Sequence, residues 1–66
     1  MHFMMLKVDG ERRKVAFAGG SVRALLKKIG VAREEALVKV NGKLVPEGVE
    51  VGAKDRVEVI KVVFGG

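Results

Sequence analysis

The sequence predicts an α+β roll: a mixed sheet with one helix packed across one face. Three observations predict it. Two Asx-Gly pairs, Asp9-Gly10 and Asn41-Gly42, each separate apolar runs, as hairpin turns do. Val22, Leu25, Leu26 and Ile29 stand at i, i+3, i+4 and i+7, the spacing of one apolar helix face. The stretch from Arg56 to Val63 is the longest β-branched run and reads as the last strand. The order is β-β-α-β-β-β, and a helix of this kind covers one face of such a sheet.

The first hairpin joins Met4-Met5-Leu6-Lys7-Val8 to Lys14-Val15-Ala16-Phe17, with Glu11-Arg12-Arg13 lengthening the loop. Alternation turns Met4, Leu6 and Val8 to the core together with Val15 and Phe17. Ala18-Gly19-Gly20 then breaks the strand. Ser21 caps the helix, Lys27 and Lys28 occupy its last turn where cations are favoured, and Gly30 supplies a left-handed stop. Gly19-Gly20-Ser21 reads as a strand-to-helix connector. The alternative, a phosphate-cradling loop, lacks the Gly-Lys-Ser/Thr ending of that motif.

The second hairpin pairs Leu37-Val38-Lys39-Val40 with Lys43-Leu44-Val45 across Asn41-Gly42, and Pro46 ends it because it has no N–H for a ladder. Residues 47–52 are punctuated by glycine and read as a loop. In the last strand Val57 and Val59 turn to the helix, so Glu58, Ile60 and Val62 face outward, and Lys39 shares that face.

Composition removes whole classes of function. At 66 residues the chain is one small domain that spends its apolar side chains on a thin core, leaving no large internal pocket. It has no Cys, which excludes disulfides and thiolate metal sites, and its single His and single Ser (His2 and Ser21) make no plausible nucleophilic pair. No ligand spacing points to a metal. No apolar run approaches a membrane span and no signal pattern precedes the first strand, so the expected location is the cytoplasm. Lys+Arg number 13 against 8 Asp+Glu, but the cations are dispersed and Phe3, Phe17 and Phe64 are the only aromatics, a poor stacking platform for nucleic acid.

The chemistry is therefore sought at the C-terminus. Gly65-Gly66 directly follows a strand expected to be central, so residues 1–63 form the domain and residues 64–66 a flexible tail. Phe64, Gly65 and Gly66 span about 10 Å when extended, and glycine, lacking Cβ, suits a narrow channel. The reactive group is the Gly66 α-carboxylate. A carboxylate resists nucleophiles because its leaving group is oxide; coupling to AMP supplies a good one. A persulfide attacking the acyl-adenylate leads to a thiocarboxylate, and a Lys amine gives an isopeptide.

The element order, the helix Ser21-Val22-Arg23-Ala24-Leu25-Leu26, the stretch Val40-Asn41-Gly42-Lys43-Leu44-Val45-Pro46 and the ending from Asp55 to Gly66 together resemble the ubiquitin-like β-grasp sulfur carriers. That family includes the thiamine-biosynthesis sulfur carrier, the small subunit of molybdopterin synthase and the small archaeal modifiers. Ala53-Lys54-Asp55 departs from the Gly-Asp common in the family before the last strand. The resemblance implies no bound cofactor, an ATP-using activating enzyme of the ubiquitin-activating type, a sulfur donor, and a sulfur-acceptor enzyme or target lysines. It implies a tail (Phe64, Gly65, Gly66) drawn into the activating enzyme, and a docking face of Lys39, Glu58, Ile60 and Val62. The sulfur is expected to reach thiamine, molybdopterin or tRNA. A protein modifier is the second reading, and a basic RNA-binding β-grasp module the third.

Overall fold

In a computed structural model the described residues are 3–62. The strands are β1 (Phe3–Val8), β2 (Glu11–Ala16), β3 (Gly19–Ser21), β4 (Ala36–Val40), β5 (Lys43–Val45), β6 (Glu50–Gly52) and β7 (Val57–Lys61). The helix α1 (Val22–Ile29) follows β3, and a 3₁₀ turn at Arg33–Glu35 precedes β4. Five strands form one sheet in the order β2-β1-β7-β4-β5. The last strand is central, parallel to β1 and antiparallel to β4.

The core lies between the sheet and α1. Met4, Leu6 and Val8 from β1, Val57 and Val59 from β7, Val38 from β4 and Val51 from β6 meet Val22, Leu25 and Leu26 of the helix, all buried. Val15 and Phe17 pack against this cluster as alternation requires. No polar residue is buried among the described residues, so the core rests on apolar area alone.

The helix follows its sequence signals. Ser21 Oγ accepts from Ala24 N–H at 3.1 Å, and Gly30 adopts a left-handed conformation with φ 77°. Gly30 N–H donates to the Lys27 carbonyl and Val31 N–H to the Leu26 carbonyl, the paired bonds of a Schellman stop.

Three expectations are corrected. The first hairpin has no lengthened loop: Val8 pairs directly with Glu11 across a two-residue turn, and Glu11, Arg12 and Arg13 belong to β2. This strand is a sheet edge, where charges oppose edge-to-edge association, so polarity there is compatible with a strand. Second, residues 19–21 and 50–52, read as break and loop, pair antiparallel in a separate two-stranded sheet. Third, the last strand begins at Val57 and ends at Lys61, with Val62 one residue beyond it and Val63 outside the described residues.

Candidate functional site: the central strand and its open face

The strand β7 presents two different faces. Val57 and Val59 are buried against the helix, and Glu58 and Ile60 point the other way, where no element among the described residues covers the sheet. Register places Lys7 beside Glu58 on one flank and Lys39 beside Glu58 on the other. The same row continues to Arg12 on β2 and to Leu44 on β5. One carboxylate thus sits between two ammonium groups in a row that crosses all five strands. Toward the tail, Leu37 of β4 stands opposite Ile60; toward the other end, Met5 of β1 stands opposite Lys14 of β2.

The structure therefore brings three of the expected face residues, Lys39, Glu58 and Ile60, onto one surface. Val62 is half-buried just past the strand end. The surface also holds residues the sequence reading did not single out. Phe3, Met5, Leu37 and Leu44 are the exposed large apolar side chains among the described residues, at 45, 54, 48 and 61% exposure, and all four stand on this face. Alternation around the buried Met4 and Val38 was the signal that could have found Phe3, Met5 and Leu37. Lys14 places its ammonium 4.8 Å from the Phe3 ring centroid. Lys7, Arg12, Lys14 and Lys39 against Glu58 make the face basic. A shallow groove of about 450 Å³ runs over Met5, Lys7 and Glu58 toward Arg12, Lys39 and Arg56.

Both ends of β7 are fastened by the first residue of a hairpin turn. At its start, Asn41 Oδ1 accepts from Arg56 N–H at 2.9 Å while Asn41 Nδ2 donates to Asp55 Oδ1 at 3.1 Å. Asp55 Oδ2 also accepts from Gly52 N–H at 2.8 Å. These bonds hold the Asp55 carboxyl below its usual range, the Gly52 amide first and the Asn41 amide second. The departure at Ala53-Lys54-Asp55 thus keeps a carboxylate in the turn. At the far end, Asp9 Oδ1 accepts from Lys61 N–H at 2.8 Å, Asp9 N–H donates to the Val59 carbonyl at 2.9 Å, and Val62 N–H donates to the Glu35 carbonyl at 2.7 Å.

The helix side offers no comparable site. Val22 N–H and Arg23 N–H donate to the carbonyls of Val49 and Glu47, and Ala24 N–H to Ser21, so the first turn has its donors occupied. Gly19 and Gly20 lie in β3, paired with Gly52 and Val51. The segment leads into α1 as a connector does, but as a paired strand, which is not the open loop a phosphate cradle requires. Glu47 accepts from both Arg23 and Arg33, and the Arg23 bond is the largest cause of its lowered pKa. Among the described residues no group of His, Asp and Glu could hold a metal ion, and no helix is long and apolar enough to cross a membrane. Phe64, Gly65 and Gly66, the expected tail, lie outside the described residues, as does His2.

A five-stranded mixed sheet with one helix laid across it, and an opposite face left open among the described residues, defines a β-grasp protein of the ubiquitin-like class. Two comparisons narrow the class. The ThiS family matches residues 5–66. The crystal structure of the thiamine biosynthesis protein ThiS from Geobacter metallireducens is similar at 29% identity with a TM-score of 0.65, over 96% of this chain and 100% of that one. The chain belongs to the ThiS family of β-grasp sulfur carriers, whose members are carriers and not catalysts.

Proposed function

We propose that the chain carries sulfur for thiamine biosynthesis as a thiocarboxylate on Gly66. The observation that supports this reading most is that the family match runs through the closing Gly65-Gly66. In the proposed cycle an ATP-dependent enzyme of the ubiquitin-activating type docks on the open face, with Lys39, Glu58, Ile60 and Val62 in the contact and Phe64, Gly65 and Gly66 in its channel. The Gly66 carboxylate oxygen attacks the α-phosphorus of ATP and releases pyrophosphate. A donor's persulfide sulfur then attacks the acyl carbon and AMP leaves. A thiol cleaves the resulting S–S bond, leaving the thiocarboxylate on Gly66 and a disulfide on the donor side. ATP is thus the partner's substrate and this chain needs no cofactor of its own.

The open face suits that docking. Its apolar side chains gain by leaving water, and its cations steer an acidic partner toward it. An acceptor enzyme then receives the sulfur.

The test is intact-mass measurement after incubation with ATP, the activating enzyme and a persulfide donor. The expected result is replacement of one oxygen by sulfur, mapped to Gly66, and its loss when Gly66 is deleted. The same gain in the deleted chain overturns the proposal. A protein modifier would instead leave the tryptic remnant Val62-Val63-Phe64-Gly65-Gly66 on target lysines, because Lys61 is the last basic residue.

A further inference from the structure

We infer that Asp9 is a positioning residue for the tail: its carboxylate sets the direction in which the chain leaves the sheet. The inference rests on the proposed role of Gly66. It starts from a gap in the sheet. β1 ends at Val8 and the chain turns away at Asp9, whose φ is 51°, while β7 continues to Lys61. On that flank the ladder would stop two residues short of the end of β7. Asp9 fills the gap with its side chain, accepting from Lys61 N–H at 2.8 Å, and its carboxylate lies 3.7 Å from the Lys61 ammonium.

On the other flank Val62 N–H donates to the Glu35 carbonyl at 2.7 Å. Successive amides at the root of the tail are therefore fastened on opposite sides, Val62 on the flank where β4 pairs with β7 as far as Lys61, and Lys61 by Asp9 on the flank where β1 has already ended. On the proposed role of Gly66 the reacting carboxylate belongs to the tail that starts at this root, so holding the root bears on how that carboxylate is presented. Asp9 touches neither the carboxylate nor any reactant; it acts through the Lys61 amide.

A type I′ turn also favours Asp for its backbone alone, and that purely local role is the one to exclude. Asp9→Gly keeps the left-handed turn and removes the acceptor, whereas Asp9→Asn keeps both turn and acceptor. Three readouts apply to the full chain: hydrogen exchange at the Lys61 amide, with the Leu25 amide as control, and kcat and KM for adenylation by the activating enzyme. For Asp9→Gly the expected results are Lys61 exchange about tenfold faster with Leu25 unchanged, and kcat lowered about 5- to 10-fold with KM within about twofold. Asp9→Asn should restore both. Wild-type kcat in Asp9→Gly, wild-type Lys61 exchange in that variant, or equal impairment in Asp9→Asn each overturns the inference while leaving the carrier reading intact. Failure of the unaltered chain to be adenylated overturns the carrier reading and the role of Asp9 with it.

Discussion

The Asp9-Gly10 and Asn41-Gly42 turns are nearly superimposable in backbone terms, with φ of 51° and 84° in the first and 53° and 86° in the second. Both aim the first side chain at a backbone amide at an end of β7, that of Lys61, its last residue, and that of Arg56, just before its first. What differs is the polarity of their surroundings. Asn41 meets the Arg56 N–H on one side and the Asp55 carboxylate on the other, so it must both accept and donate. Asp9 meets the Lys61 N–H and the Lys61 ammonium, so it needs only to accept. An amide suits the first place and a carboxylate the second. Local backbone geometry admits either residue at either turn; the tertiary partners decide which one stands there.

Neither turn's side chain reaches the middle of β7, so the largest effect is expected there. Val59→Ala, at a site with no exposure, should cost about 2–3 kcal/mol in urea unfolding. A smaller cost would mean that the turns and not the core hold the strand. Exchanging the two turn residues sharpens the comparison next. Asn41→Asp sets a second carboxylate against Asp55 and should lower the urea-unfolding midpoint at neutral pH, whereas Asp9→Asn should lower it less, because the acceptor for the Lys61 amide is kept. Equal costs would show that partner polarity is not the deciding factor.

Gly10→Ala and Gly42→Ala test the shared part of the geometry. A Cβ at either position meets no atom within 4 Å, so the expected cost is backbone strain alone, about 1–2 kcal/mol in each by thermal unfolding. A large inequality would break the equivalence of the turns.

The smallest effect is a pH dependence. The Asp55 carboxyl has its pKa lowered by the Gly52 and Asn41 bonds, so the folded state binds its proton less readily than the unfolded chain does. Its contribution is fully present above about pH 4, the ordinary range for Asp, and is lost as pH falls through the lower folded value. Asn41→Ala removes one of the two donors, so stability in that variant should fall off less steeply in acid than in the parent. A parallel fall-off would assign the shift to Gly52 alone.

How legible all this was in the sequence depends on the range of the interaction. The helix was legible in full, because Ser21, Lys27, Lys28 and Gly30 act within their own turn or the next. Hairpins were legible from their Asx-Gly pairs, and so was the burial of Met4, Leu6, Val8, Val57 and Val59 from alternation. The start of β2 was not, since Glu11, Arg12 and Arg13 look like loop and only their place at a sheet edge accounts for a strand. The pairing of Gly19–Ser21 with Glu50–Gly52 was hidden for another reason: three-residue strands carry too little pattern, and their partners lie far apart in the chain. Of the candidate face, Lys39, Glu58 and Ile60 came from counting along strands. Leu44 joined them only through register, and the bonds from Asp9 and Asn41 to β7 join residues that no local pattern connects.

The central place of β7 also has a consequence for biosynthesis. β1 and β4 each pair with β7 and not with each other, so before β7 arrives the sheet is two separate hairpins with an open slot between them. On the ribosome that strand emerges after the other described strands, and the Asp9–Lys61 contact spans 52 positions of sequence, a long closure that slows folding. On the proposed carrier role, the segment that leads to Gly66 is thus the segment that completes the sheet. A chain cut short before β7 lacks both the tail and the surface that would present it, and a partner that recognises the assembled sheet is handed only finished molecules.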